Sequence, residues 1–139
     1  MPRGPIYQDN YKPQFSGHET FPLRYGWLKK AYDAVEARAG QPDSKAVFTR
    51  DEAIAHFGVG KNMVASMRHW AAASGIIEDG ESPGTLTATQ LGDRLFSANG
   101  HDPYMEHPSS LWLIHWNLAG RPDKTTYYWS FNNFPGATF

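Results

Sequence analysis

The sequence predicts a mainly α-helical domain built on a winged helix-turn-helix core. Three observations predict it. Two short amphipathic patterns flank the tight turn Gly58-Val59-Gly60. The second pattern closes on Gly75, a residue suited to a left-handed helix cap, and runs straight into the β-like pair Ile76-Ile77. The breaker-rich turn Asp79-Gly80-Glu81-Ser82-Pro83-Gly84 then separates that pair from Thr85-Leu86, a candidate return strand ahead of a further helical pattern. The expected helices cover about residues 22–39, 50–57, 62–74 and 88–97, with a two-stranded wing over about 76–86 and additional helices towards the C-terminus.

Residues 1–14, with three prolines and a glycine, predict an extended arm whose Tyr7 and Tyr11 are able to dock on a surface. Ser16-Gly17-His18-Glu19-Thr20 is a turn signal, expected to lock the following helix onto the core. In that helix Pro22 suits the first turn, and Leu23, Trp27, Ala31 and Ala34/Val35 recur at helical spacing until Gly40 and Pro42. Thr49-Arg50-Asp51-Glu52 has the threonine-to-glutamate spacing of a capping box, followed by Ala53, Ile54 and Phe57 on one face. The next helix carries Met63, Val64, Met67, Trp70 and Ala71 at spacings of three and four. Thr87-Ala88-Thr89-Gln90 is a second candidate box, ahead of Leu91, Leu95 and Phe96. These elements define a core over residues 15–98, and residues 99–139 form an aromatic-rich extension packed on it.

Within the extension, Ser109 or Ser110 is the expected cap of a helix ending at Ala119-Gly120. Its apolar character around most of its circumference predicts burial on more than one side. Trp112, Trp116, Tyr127, Tyr128, Trp129, Phe131 and Phe134 fall within 23 positions and call for burial, inside this chain or against something else. The run after Thr125-Thr126 reads as a threonine-capped helix, against a β-propensity that argues for a strand. The last residues look like the start of another element, as expected of the N-terminal half of a longer protein.

Composition narrows the function classes. The 139 residues are 40% hydrophobic and 14% aromatic, which excludes a disordered chain. There is no cysteine, so disulfides, zinc ribbons and thiol catalysis are excluded. No run approaches the ~18–20 apolar residues of a membrane span, and the N-terminus lacks a signal-peptide pattern; a cytoplasmic location is expected. The net charge of −1 hides an asymmetry. Residues 1–75 hold ten Lys/Arg against seven Asp/Glu, and residues 76–139 hold three against seven. Contact with nucleic acid would therefore be local rather than driven by overall charge.

No catalytic apparatus is evident: nucleophile elbow, Walker A and dinucleotide fingerprints are all missing, and the carboxylates are scattered. Gly58-Val59-Gly60-Lys61-Asn62 lacks the leading glycine and preceding strand of a P-loop and reads as the tight turn. His18 and Glu19 are adjacent and diverge, His107 and His115 are separated by a proline, and HExxH does not occur; no metal and no cofactor are expected. In a helix-turn-helix the second helix enters the major groove by its N-terminal residues, which puts forward Lys61, Asn62, Ser66, Arg68 and His69. Asparagine pairs with adenine and arginine with guanine there. Arg24, Lys29 and Lys30 are candidate phosphate-backbone contacts. Against this, the wing carries Glu78, Asp79 and Glu81, which phosphates would repel.

Three stretches together resemble one family. They are Phe15-Ser16-Gly17-His18-Glu19-Thr20-Phe21-Pro22-Leu23-Arg24-Tyr25-Gly26-Trp27-Leu28-Lys29-Lys30; Gly58-Val59-Gly60-Lys61-Asn62-Met63-Val64 with Arg68 and Trp70; and Leu111-Trp112-Leu113-Ile114-His115-Trp116 with Tyr128-Trp129 and Phe131-Asn132. They are similar to the bacterial "domain of unknown function 4007" family over about residues 15–134. The resemblance implies a context of DNA phosphorothioation loci, where sulfur replaces a non-bridging phosphate oxygen, and a role in DNA modification or bacterial defence. It brings no catalytic residues, and Ser16, Gly17, His18, Glu19 and Thr20 stand as a motif of unassigned role. Two functions follow as expectations. One is a DNA-binding or targeting component acting on double-stranded DNA, modified or not. The other is a protein-interaction module that docks a sulfur-transfer or nuclease partner without touching DNA.

Overall fold

In the computed structural model, which describes residues 4–49 and 51–136, the chain is mainly helical. The described residues form α1 (Trp27–Glu36), α2 (Glu52–Phe57), α3 (Lys61–Ala73), β1 (Ile77–Asp79), β2 (Leu86–Ala88), α4 (Gln90–Phe96), α5 (Pro108–Ala119) and α6 (Thr125–Asn132), with 3-10 turns at Pro5–Tyr7 and Ser44–Phe48. The two strands pair antiparallel, Glu78 opposite Thr87. This layout is compatible with a winged helix-turn-helix arrangement.

The first helix is shorter than its pattern suggests. Gly26 sits in the left-handed region at φ 81, which an α-helix cannot contain, so the helix starts at Trp27 and Pro22 lies in irregular chain before it. One face of α1 buries Trp27, Leu28, Ala31, Tyr32, Ala34 and Val35. That face packs on α3, α4 and the hairpin. The expected Thr49 box does not form. Thr49 closes the preceding 3-10 turn, and Asp51 precedes α2 without a side-chain cap bond. Arg50, where the helix was expected to begin, lies outside the described residues.

The turn between α2 and α3 is built as the glycines demand. Gly58 is left-handed at φ 69 and ends α2, and the extended Gly60, not Asn62, is the residue before α3. At the other end of α3 the chain makes a Schellman turn: Ile76 N–H donates to Ala71 O at 2.9 Å and Gly75 N–H to Ala72 O at 3.1 Å, with Gly75 left-handed at φ 76. Ile76 and Ile77 are thereby delivered into the core beside Met67, Val64, Val35 and Phe96. The α4 cap is Thr89, two residues later than the expected box. Its hydroxyl accepts from Gly92 N–H at 3.0 Å and donates to Gly75 O at 2.5 Å. A Cβ on Gly92 would stand 2.5 Å from Ile76 O, so only glycine lets α4 lie this close to the chain leaving α3.

The extension departs most from expectation. Helix α5 begins at Pro108 in its first turn, with His107 before it and neither Ser109 nor Ser110 capping. Its buried residues are Ser110, Ile114 and Leu118, a single stripe four residues apart. Leu111, Trp112, Leu113 and Trp116 are exposed, so burial on more than one side is not observed. The loop before α5 is held by the buried Asp102, whose carboxylate accepts from Glu106 N–H at 2.9 Å and His107 N–H at 3.0 Å. Burial works against that charge, but bonds from Ser110 and the two amides outweigh it and hold the carboxyl below the usual carboxylate range. The aromatic run is helical, and Lys124 rather than a threonine occupies the cap of α6. The arm clamps this helix. Tyr11 OH donates to Pro122 O at 2.6 Å, and Gln14 N–H donates to the buried Thr125 hydroxyl at 2.8 Å.

No described helix is long and apolar enough to cross a membrane.

Candidate functional site

Two regions collect the residues singled out by sequence: the outer face of α3, and a cleft where its last turns meet the N-terminal segment.

On α3 the buried set Val64, Ser66, Met67, Ala71 and Ala73 fixes which side faces outward. Lys61, Asn62 and Ala65 are exposed, and Arg68 is half-buried on the same stripe, one and two turns on. Lys61 and Asn62 occupy the first turn, where unpaired backbone amides favour a phosphate. Ser66 does not belong to this face. It is 0% exposed and its hydroxyl donates towards Phe21 O at 3.4 Å. His69 is turned away as well, towards Gly17. Ser66 and His69 thus lie off the exposed face that carries Lys61, Asn62 and Arg68.

The remaining basic candidates already have partners. Lys29 Nζ pairs with Asp33 at 2.6 Å and donates to Phe96 O, at the end of α4, at 3.2 Å. Lys30 Nζ donates to Phe57 O, at the end of α2, at 3.3 Å. Both lysines thus satisfy orphan carbonyls at helix C-termini. Arg24 is exposed and its guanidinium lies over the Phe21 and Trp27 rings, 5.6 and 5.7 Å from their centroids. The hairpin tip is acidic in space as in sequence. Glu78, Asp79 and Glu81 are exposed, and only Asp79 has an ion-pair partner among the described residues, Lys45 at 3.1 Å.

The Ser16–Thr20 motif does not cap α1. Glu19 and Thr20 are both left-handed, at φ 50 and 65, which turns the chain sharply and lays Gly17 against the His69 ring. A Cβ on Gly17 would meet His69 Nδ1 at 2.5 Å. Trp70 Nε1–H donates to Phe21 O at 2.9 Å and fixes the far side of the motif on α3. Between the motif, α3 and α6 opens a cleft of about 180 Å³. Rings follow one another along it. His18 and His69 are 6.0 Å apart, His69 and Trp70 5.4 Å, Trp70 and Tyr127 6.4 Å, and Tyr127 and Phe131 4.9 Å.

Burial, then the Lys124 charge and the neighbouring His18, push His69 down to about 4, so its imidazole is neutral at neutral pH. Tyr127 is raised by burial, and its hydroxyl meets His115 Nδ1 at 3.1 Å. Sequence reasoning missed Gln14, Tyr127 and Lys124 as cleft residues. Trp70 and Phe131 had signals, since both stand in the long motif words. Among the described residues no group of three or more His, Asp or Glu gathers to hold a metal ion.

A small helical domain with a helix–turn–helix–hairpin order, an exposed outer face on α3 and a ring-lined cleft is therefore the class of molecule defined here. The chain belongs to the family described as "Protein of unknown function (DUF4007)", whose model matches residues 15–139. Two solved structures are similar to it. The SspB crystal structure superposes with a TM-score of 0.64 at 38% identity, covering 76% of this chain and 32% of that one. A magnesium ion-bound SspB crystal structure gives 0.63 at 37%, covering 76% and 31%. The matched region thus spans about a third of those chains. Comparison with curated proteins returns no match.

Proposed function

We propose that this chain is a DNA-binding or targeting module of a bacterial DNA phosphorothioation and defence system, working as a winged helix-turn-helix. The observation that carries the reading is the outer face of α3. Lys61 and Asn62 lie exposed at its N-terminus, directly after a left-handed glycine turn, and no other element of the described chain covers them. The family's context of phosphorothioation loci is supported by the SspB neighbours.

In this reading Lys61 and Arg68 contact phosphates or guanine edges and Asn62 an adenine edge. Lys30 and Arg24 serve as weaker backbone contacts, and Lys29 is the least available of the three. The acidic hairpin tip is held off the duplex rather than laid on it.

Two cations on the face predict a modest dependence on salt, about one unit of log–log slope for each neutralised phosphate. Lys61→Ala with Arg68→Ala is expected to weaken duplex binding and reduce the slope by about two. Fluorescence anisotropy with a labelled duplex across a salt series reads both quantities. Duplex binding unchanged in the double variant contradicts the assigned face.

A second reading, a module that docks a protein of the sulfur-transfer or nuclease machinery, is favoured by a different observation. Trp112 and Trp116 are 71% and 77% exposed on α5, beside exposed Leu111 and Phe131. Complex formation that persists in high salt and is lost in Trp112→Ser with Trp116→Ser is the expected mark of that mode.

A further inference from the structure

We propose that the cleft between the Ser16–Thr20 motif, α3 and α6 is a nucleotide site, separate from the outer face of α3. Its rings take a single unstacked base, and Lys124 with the rim hydroxyls takes the phosphate. The floor is apolar and aromatic, formed by Trp70, Tyr127 and Leu118, with the exposed Phe131 at its outer edge. A planar π system gains most from such a surface. The rim is different in kind. It carries the Lys124 ammonium and the hydroxyls of Ser16, Thr126 and Ser130, and no carboxylate lines the cleft. Lys124 Nζ is held at the mouth by Gln14 Oε1 at 2.8 Å and Asp123 at 3.5 Å.

The two imidazoles complete the chemistry. Neither the His18 nor the His69 ring has a hydrogen-bond partner among the described residues, although both side chains are half-buried. A neutral imidazole offers one donor and one acceptor, which suits the heteroatom edge of a base. An aromatic side chain of a protein would fill the floor but leave these nitrogens unmatched. A planar, heteroatom-edged ring carrying an anion satisfies floor, imidazoles and rim together. The positive charge of Lys124 already acts on His69. An entering phosphate offsets it, so ligand binding should raise the His69 titration.

The probes are dAMP, deoxyadenosine and a short single-stranded oligodeoxyadenylate, titrated into the full chain by calorimetry and by NMR of the histidine ring protons. The expected results are binding of dAMP about tenfold tighter than deoxyadenosine, shifts centred on His18 and His69, and an upward move of the His69 titration. Lys124→Ala removes the advantage of dAMP over deoxyadenosine, and Lys124→Arg restores it. Ser130→Glu, a rim change that leaves the Lys124 contacts in place, also removes it by repelling the phosphate. Equal affinity for dAMP and the strand identifies a free mononucleotide as the ligand, whereas much tighter strand binding identifies a nucleotide within a chain.

No binding of either nucleotide ligand up to about 10 mM, far weaker than any functional site, overturns the proposal, as does dAMP binding that is indifferent to both Lys124→Ala and Ser130→Glu. The Lys61→Ala, Arg68→Ala background separates this site from the duplex reading. There dAMP binding is expected to survive unchanged while duplex binding weakens, so either can fail without the other.

Discussion

Helices α1–α4 and helices α5–α6 are both rich in large apolar residues, yet the two regions use them in opposite ways. In the first region Trp27, Tyr32, Phe48, Phe57, Phe96, Met67 and the isoleucine pair all point inward, around one core. In the second, Ile114 and Leu118 are the large apolar side chains fully buried, while Leu111, Trp112, Trp116, Trp129 and Phe131 face out. The difference lies in what each helix has to pack against. Helix α1 meets α3, α4 and the hairpin from several directions, whereas α5 makes its main contact with α6. Aromatic content therefore builds stability in one half and surface in the other.

The largest effect that sharpens this contrast is a truncation in the first region. Phe96 is 0% exposed, and Phe96→Ala is expected to cost about 3–5 kcal/mol, a large share of the stability of an ordinary domain. Chemical denaturation monitored by circular dichroism reads it. Gly92→Ala comes next, at about 1–3 kcal/mol, because its new methyl would meet Ile76 O and the Tyr32 ring. A Gly92→Ala protein as stable as the parent would mean that α4 does not lie where it is described.

Acid acts at the seam between the regions. The unfolded His69 takes its proton near the ordinary 6.5, the folded one only near 4. The unfolded state therefore binds more protons between those values, and stability is full above pH 6.5 and falls as the pH drops towards 4. His69→Gln is expected to flatten that part of the profile, read as Tm against pH. Asp102, with its lowered carboxyl, adds a loss only at still lower pH, and Asp102→Asn should lower Tm at neutral pH. The smallest effect falls on the surface. Trp112→Ser with Trp116→Ser is expected to leave stability within about 0.5 kcal/mol, and a large loss would show that these tryptophans are core after all.

What the sequence revealed follows the range of its signals. The α2–α3 turn, the Schellman end of α3 and the hairpin rest on glycines whose role is decided within a few residues, and Gly58 and Gly75 stand where local chemistry puts them. The start of α1 was misread because Pro22 suits a first turn, while the left-handed Gly26 four residues on decides the matter. The Thr49 box competed with a 3-10 turn that already used that threonine. Helix α5 was expected to be buried on several sides because hydropathy counts apolar residues without knowing what is available to cover them. The cleft was invisible for a different reason. Gln14, His69, Lys124 and Phe131 meet only through tertiary folding, and a lone lysine before α6 carries no local mark.

The central claim is that the outer face of α3 binds duplex DNA. The most direct test is equilibrium binding of the purified chain to matched duplexes, one with and one without a phosphorothioate, across a salt series. The account predicts binding at low salt that weakens with a log–log slope of about −2, and a preference for the modified duplex would make the module a reader of the sulfur. No binding to either duplex at low salt would contradict the claim and leave the exposed aromatic face of α5 as the working surface.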